Sequence, residues 1–471
     1  MGRKSRKKGP SSYQNLTIIG LSSLGYGIGK TDEGKVVFVE HAAPNDVVDV
    51  RVVGRKKRFL IGKIENLRQK SPKRVNSVCA HAGICGGCKW QHIDYQEQLY
   101  WKLIQVKDAF EKIGKILFEF DAYDIIPSED VLVYRNKMDF SFTDNKWLTE
   151  KEMGEEVHSQ NGIGLHIPGR FDKVLHIDQC WLQNDYQNQI RAFIFEFAVS
   201  RSLSFFNLKT QDGLFRSMIL RNNTKEQWML ILVVTNKFDK KLPELIDKLA
   251  IEFEKLRSIY LIENTKANDS IFDLSPDLVY GEELITENLG GLTFQIRPKS
   301  FFQVNIPQAE QLFKTALAMV DWSCVNLAYD IYCGTGTITL LAAKMCNKVV
   351  GIESVQQAIH DAENNAKINR MDNVFFECGE ARKVLTDEFA LKYPKPDLII
   401  TDPPRAGMHP NVIKVIKELK PQQLLYISCN PATQARDINL MLDLYSIKKI
   451  RGVDMFPQTP HIENITYLQL K

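Results

Sequence analysis

No stretch of this chain is apolar for long enough to cross a membrane. The longest runs, Trp228 to Val234 and Leu398 to Thr401, fall far short of the roughly 20 residues a spanning helix needs. Met1 to Ser12 also has no apolar centre of the kind a secretory leader carries, so the expected compartment is the cytoplasm. Without an export signal, nine cysteines do not read as a disulfide framework and need another use. Strong net charge is missing too, with 61 Lys and Arg against 57 Asp and Glu. That balance hides a gradient. Residues 1–75 hold 17 basic against 6 acidic side chains, while the rest of the chain, with 44 against 51, is acidic. Arg3, Lys4, Arg6, Lys7 and Lys8 read equally well as a solvated tail or as phosphate ligands, whereas Arg55-Lys56-Lys57-Arg58, lodged between strand-like runs, favours nucleic acid.

At 471 residues and 44% apolar composition the chain can bury two or three cores. Residues 13–75 alternate apolar and polar positions in short runs, such as Val36-Val37-Phe38-Val39 and Phe59-Leu60-Ile61, with glycine turns between them. That rhythm predicts a small closed barrel of the OB type, a fold that carries single-stranded nucleic acid. Gly25-Tyr26-Gly27-Ile28-Gly29 is not followed by a helical pattern and reads as a hairpin, not a phosphate loop. Leu99, Leu103, Val106, Phe110 and Ile113 recur at three and four residues, predicting a helix over 95–113. Residues 126–290 mix strands with helices such as Leu245 to Leu256, and Arg135 and Lys137 there are candidate RNA contacts against a default of ordinary surface charge. From about residue 299 apolar strands alternate with helical patterns, as in a doubly wound sheet.

Two absences in this last region narrow the chemistry. Gly334-Thr335-Gly336 follows a strand and opens a helix, but the third glycine of a dinucleotide fingerprint is missing, with Thr339 in its place. This disfavours a pyrophosphate ligand and suits S-adenosylmethionine, whose ribose hydroxyls Glu353 could bind from the end of the next strand. Asp402-Pro403-Pro404 is followed by Arg405, where many amine methyltransferases have an aromatic residue, so amine methylation is the second reading. Cys429 in Ser428-Cys429-Asn430-Pro431 ends the apolar run Leu424 to Ile427, which places a thiol at a sheet's carboxyl edge. A pyrimidine carbon is a poor nucleophile until a thiolate adds to its ring, and Cys429 is the candidate. Glu463 is the best-placed carboxylate to remove the ring proton afterwards, against an even prior that it is a surface acid.

The remaining cysteines divide into two groups. Cys79, Cys85 and Cys88 form C-x5-C-x2-C in a glycine-rich loop, and Cys180 lies apart. Spacing alone leaves zinc on four thiolates and an iron-sulfur cluster both open, and excludes the C-x3-C-x2-C of radical enzymes. Cys324, Cys333, Cys346 and Cys378 read as packing residues.

On these motifs the chain resembles the bacterial RNA uracil-5-methyltransferase family, in its branch acting on large-subunit ribosomal RNA. Ser428-Cys429-Asn430-Pro431, Asp454-Met455-Phe456-Pro457 through His461-Ile462-Glu463, and the four-cysteine pattern carry the likeness, which extends over nearly the whole chain. The resemblance implies three domains: an OB-like TRAM β-barrel at 13–75, an α+β central domain bearing an iron-sulfur cluster at 76–290, and a C-terminal α/β Rossmann-like methyltransferase domain at 291–471. Helix 95–113 is a candidate to dock on the last of these. It further implies Cys429 as nucleophile and Glu463 as base, Gln303, Tyr332, Gly334, Gly336, Glu353, Asp402 and, more weakly, Glu380 as S-adenosylmethionine ligands, and Cys79, Cys85, Cys88 and Cys180 as ligands of a 4Fe-4S cluster. Thr337 stands where relatives often have Asn. The partner implied is large-subunit ribosomal RNA; a monomer is the simplest expectation, and the short apolar runs predict no membrane contact. Uridine methylation in transfer RNA, amine methylation of a base, and a non-catalytic RNA-binding role remain alternatives.

Overall fold

Alternating apolar positions close the first five strands into a barrel. In the computed structural model, which describes residues 11–117, 125–149, 152–154 and 160–471, these strands are β1 (Ser12–Leu21), β2 (Gly27–Lys30), β3 (Val36–Glu40), β4 (Val47–Arg55) and β5 (Phe59–Gln69). The tail residues Arg3, Lys4, Arg6, Lys7 and Lys8 lie outside the described residues. The cyclic order is β1-β2-β3-β5-β4, and pairing of β1 with β4 leaves no free edge. Leu16, Ile18, Val37, Val39, Val48, Val50 and Leu60 fill the interior. Gly62 is obligatory there, because a Cβ at that position would lie 2.1 Å from Val50 Cγ1. The segment Gly25 to Gly29 forms a hairpin into β2, as expected, and Arg55 to Arg58 forms the β4–β5 turn.

After the cysteine loop, Asp94 caps helix α1 (Tyr95–Asp108) by accepting from the backbone N–H groups of Gln96 and Glu97. The helix continues as one wider turn over Ala109–Ile113. Val106, Ala109 and Phe110 are buried in the same cluster as Ile331 and Tyr426 of the carboxyl-terminal sheet and Ile438 of the helix after its strand Gln423–Ser428.

The central sheet is built from β7 (Lys137–Thr143), β8 (Gly162–Ile167), β9 (Arg170–His176), β10 (Phe215–Asn222), β11 (Trp228–Val234), β12 (Leu256–Glu263) and β13 (Asp277–Gly281), with β6 (Ile125–Ile126) lying ahead of it in the chain. Its order is β13-β12-β11-β10-β7-β8-β9. Helices α2 (Asp185–Ser200) and α3 (Leu242–Glu252) cover one face. Every residue of β11 is buried: Leu230, Leu232 and Val234 pack in the core beneath the helices, and Met229, Ile231 and Val233 in the core shared with the carboxyl-terminal region. The helix expected to reach Leu256 stops at Glu252, because Leu256 is drawn into β12 opposite Trp228.

A hairpin of β14 (Ile285–Leu289) and β15 (Leu292–Ile296) leads through α4 (Ile306–Ala318) into the doubly wound part. There β16 (Leu327–Ile331), α5 (Thr337–Ala343), β17 (Lys348–Glu353), α6 (Gln356–Ile368), β18 (Val374–Cys378), α7 (Ala381–Val384), α8 (Asp387–Lys392), β19 (Leu398–Thr401), α9 (Pro410–Leu419), β20 (Gln423–Ser428), α10 (Pro431–Asn439), β21 (Tyr445–Val453) and β22 (Glu463–Leu470) follow one another. The eight-stranded order is β18-β17-β16-β19-β20-β22-β21-β6, parallel up to β20. The chain winds outward from β16 in one direction and from β19 in the other, so a crevice opens at their carboxyl ends, where such sheets bind ligands. The edge strand β6 comes from far upstream and pairs with Gly452 and Val453. Among the described residues no helix is long and apolar enough to cross a membrane.

Candidate active site

Burial of all six residues of β20 fixes where its last residue ends and aims Cys429 out of the sheet's carboxyl edge. Asn430 then starts α10, its side chain accepting from Ala432 N and donating to Arg405 O at 3.0 Å. That second bond ties the nucleophile turn to the segment after Asp402. Glu463 opens β22, opposite Val453, and its neighbour Asn464 pairs with Ser428. Cys429, Glu463, Asp402 and Arg405 therefore face one another from three strand ends. Cys429 is half-buried, and its thiol is pushed up to about 11 by burial and then by the negative charges of Glu463 and Asp402, with Arg405 opposing. Burial, with Asp402 nearby, also raises Glu463 well above the usual carboxylate range, and Arg405 again opposes.

Beside this group lies a third carboxylate. Asp330, 1% exposed at the end of β16, accepts from Thr339 Oγ1 at 2.6 Å through one oxygen, while its Oδ1 has no partner among the described residues. Burial raises Asp330 to about 7, and burial together with Asp330 raises Asp402 to about 7. The threonine that replaces a third glycine thus serves to hold this acid. The loop after β16 turns back sharply: Tyr332, Gly334 and Gly336 all have positive φ, of 72°, 55° and 84°. For a bulky residue such as Tyr332 that conformation costs on the order of 1–3 kcal/mol, a strain concentrated at functional sites. Backbone N–H groups of Tyr332 and Cys333 donate to Ile352 O, and Gly334 N donates to Glu353 Oε2 at 3.2 Å. A Cβ at Gly334 would meet only open space, so nothing in the chain crowds this face of the turn. Glu353 is held in place by Val355 N and Ser354 Oγ, both at 2.9 Å.

Two expected ligands stand differently. Gln303 is half-buried between β15 and α4; its backbone carbonyl accepts from Asn136 at 2.9 Å, and among the described residues its side chain makes no hydrogen bond. Glu380, after β18, is already engaged by Arg382 at 2.6 Å and Lys383 at 2.7 Å, which hold its carboxyl below the usual range. Thr337 is the first residue of α5.

Cys79, Cys85, Cys88 and Cys180 line one cavity under the central sheet, with His81 and Leu165. Burial pushes Cys85 up to about 11 and Cys88 to about 12, and raises Cys79 and Cys180. Arg191, 1% exposed, is close enough to Cys180 for their charges to interact, and its Nη1 has no partner among the described residues. No set of three or more His, Cys, Asp or Glu side chains is arranged as a ready metal site among the described residues. The cavity gathers the four thiols without closing them into a coordination shell.

A family model for tRNA (uracil-5-)-methyltransferases matches residues 223–471, and one for the TRAM domain matches residues 8–64. The chain belongs to the uracil-5-methyltransferase family. It is similar to an uncharacterized RNA methyltransferase of Bacteroides thetaiotaomicron, 40% identical over 456 residues that cover 96% of this chain and 100% of the relative. One of Porphyromonas gingivalis is 40% identical over 462 residues, covering 96% and 99%. Among solved structures it is similar to the tRNA (uracil-54, C5)-methyltransferase of Pyrococcus abyssi in complex with S-adenosyl-L-homocysteine, with a TM-score of 0.75 and 28% identity over 97% of this chain and 100% of that one. The enzyme is thus an RNA methyltransferase with a TRAM barrel at its amino end and an S-adenosylmethionine-dependent fold at its carboxyl end. Within it, sequence reading missed two residues of the site. In the sequence Arg405 stands out only for not being aromatic, and Asp330, at the head of the Asp330 to Gly336 cofactor loop, carries no role of its own.

Proposed function

We propose that this enzyme methylates carbon 5 of a uridine in large-subunit ribosomal RNA through a covalent bond between Cys429 and the base. The convergence of Cys429 and Glu463 beside Asp402 and Arg405 carries this reading. When bound, S-adenosylmethionine would supply an electrophilic methyl group on a sulfonium, whose sulfur keeps the electron pair of the broken S–CH3 bond and departs as a neutral thioether. The Cys429 thiolate, favoured by Arg405, adds to carbon 6 and moves the ring's electron pair to carbon 5, which takes the methyl group. The Glu463 carboxylate then removes the carbon-5 proton, the C5–C6 double bond re-forms, and Cys429 leaves as thiolate. A raised proton affinity makes Glu463 a stronger base once ionised, and a cation near Asp402 favours that ionisation. Asp330 and Asp402 suit the positive charge of the donor. Glu353 suits its ribose, and Tyr332, Gly334 and Gly336, in the turn after β16, with Gln303, are the further ligands we assign to it; the carboxylate of Glu380 is already held by two cations, which argues against a direct contact.

The thiol-only donor set and the buried, part-satisfied guanidinium of Arg191 fit an anionic iron-sulfur cluster on Cys79, Cys85, Cys88 and Cys180, where metal binding would drive the raised thiols to thiolates. On the barrel, Tyr26, Phe38 and Phe59 form a chain of rings, 6.3 and 5.2 Å apart, between the Arg55 to Arg58 turn and Lys89, which sits over Tyr26. Aromatics beside basic residues suit a single RNA strand. The enzyme then works as a monomer in the cytoplasm, where its RNA is. Transfer RNA is the second reading, favoured by the substrate of the Pyrococcus abyssi enzyme. Mapping 5-methyluridine in cells lacking the gene tests both: loss from large-subunit ribosomal RNA is expected, and loss from transfer RNA alone would replace the first reading by the second. Cys429→Ala should abolish turnover, by at least ~10³-fold, and methyl transfer to uridine by that variant would refute the nucleophile.

A further inference from the structure

The nine residues between β21 and β22 end at Glu463, and almost every polar group at the start of that loop is held from outside the methyltransferase sheet. Lys102 and Asp454, neither with any side-chain exposure, form an ion pair at 2.5 Å, and Lys102 also donates to Phe456 O at 3.1 Å. Tyr95 OH donates to the other oxygen of Asp454 at 3.1 Å. One turn along the same helix, Gln98 and Gln458 are bound twice, Gln98 Nε2 to Gln458 Oε1 and Gln458 N to Gln98 Oε1, both at 3.0 Å. Trp90, two residues past Cys88, donates its backbone N–H to Gln458 O at 3.0 Å. Tyr134 OH reaches Pro457 O at 3.0 Å and Asn305 Nδ2 reaches Met455 O at 3.2 Å.

Gln458 itself has a φ of 66°, so its backbone is held away from its preferred region. A buried ion pair adds little net stability compared with apolar packing, because desolvation offsets the attraction, but removing one partner leaves an unpaired buried charge and is strongly destabilising. Here the pair fixes the helix that follows the cysteine loop against the loop that delivers the base.

We propose that α1, through Gln98 and Lys102, together with Trp90, is a clamp that positions Glu463 for proton removal, so that the cysteine-loop region acts on the last chemical step without touching the substrate. This rests on the reading of Glu463 as the base. The clamp residues are positioning residues. Loss of the clamp leaves Cys429, which directly follows β20, free to attack, and slows only the step that releases it.

The test uses Gln98→Leu in the full-length enzyme, with Glu463→Gln as control and ribosomal RNA transcribed without modification as substrate. The expected result is threefold: backbone amides of residues 455–462 exchange with deuterium at least tenfold faster, kcat falls at least tenfold with KM for RNA and S-adenosylmethionine within twofold of wild type, and a protein–RNA band persists on a denaturing gel. Unchanged loop exchange, or a loosened loop with normal turnover, or loss of turnover with raised KM and no such band, overturns the clamp. Should Gln98→Leu fail to fold, Gln458→Asn tolerates the left-handed backbone, shortens only the loop's own side chain, and is held to the same outcomes. If Glu463→Gln itself forms no band while the wild type methylates uridine, the base assignment has failed, and the clamp as stated fails with it; faster loop exchange in Gln98→Leu would then attest to the contacts alone.

Discussion

At the carboxyl ends of β16 and β19, Asp330 and Asp402 share a buried neighbourhood in which, among the described residues, no cation offsets their charges, and each is raised to about 7. Because these folded values lie above the unfolded ones, the folded protein binds extra protons, so this contribution to stability is full below about pH 4 and is lost as pH rises through about 7. A cationic ligand prefers the ionised pair. Binding of S-adenosylmethionine, measured calorimetrically from about pH 5.5 to 8, should therefore tighten with pH, and Asp330→Asn should flatten the rise; an affinity independent of pH in the wild type would contradict the charge argument. Cys429 was legible in the sequence because a fully apolar strand ending in a thiol and an Asn-Pro turn has few other uses. Arg405 was not, since one charge after Asp402-Pro403-Pro404 says nothing about which way its side chain turns. Only the fold brings it against both Cys429 and Glu463.

Among elements, the cysteine loop and α1 behave as one unit, since Trp90 and Gln98 share the carbonyl and N–H of Gln458. The C-x5-C-x2-C spacing was readable because it is local, and so was the periodicity of the helix. The contacts of that helix were not, because Gln98 and Gln458 are 360 residues apart and leave no local pattern. The two-residue strand β6 escaped for the same reason. For the loop, Cys85→Ser is expected to lower bound iron and sulfide to near zero in protein purified without oxygen, while the apolar barrel and sheet cores keep it folded by circular dichroism. Full iron content in that variant would remove Cys85 from the ligand set.

Over the whole molecule, the basic barrel has its own core and meets the segment around Trp90 through Leu21 and Ala43, while the central sheet, its strand β11 buried on both faces, shares a core with the doubly wound catalytic part. The run Trp228 to Val234 could not disclose the middle layer, since a strand buried on both faces and a buried helix look alike in composition. The charge gradient was plain from the sequence and now has a place, the β4–β5 turn. Replacing Lys56 and Lys57 by Ala should weaken RNA binding and reduce the slope of log affinity against log salt by about 1 for each lysine lost; an unchanged slope would take this turn off the RNA path. The central claim, a bond from sulfur to the base, is tested most directly by the mass of the whole protein–RNA complex formed by Glu463→Gln. The account predicts a denaturation-resistant species carrying RNA and one added methyl group, joined at the peptide that contains Cys429. Methylated RNA released by Glu463→Gln at the wild-type rate, with no covalent species trapped or one joined at a different residue, would contradict it.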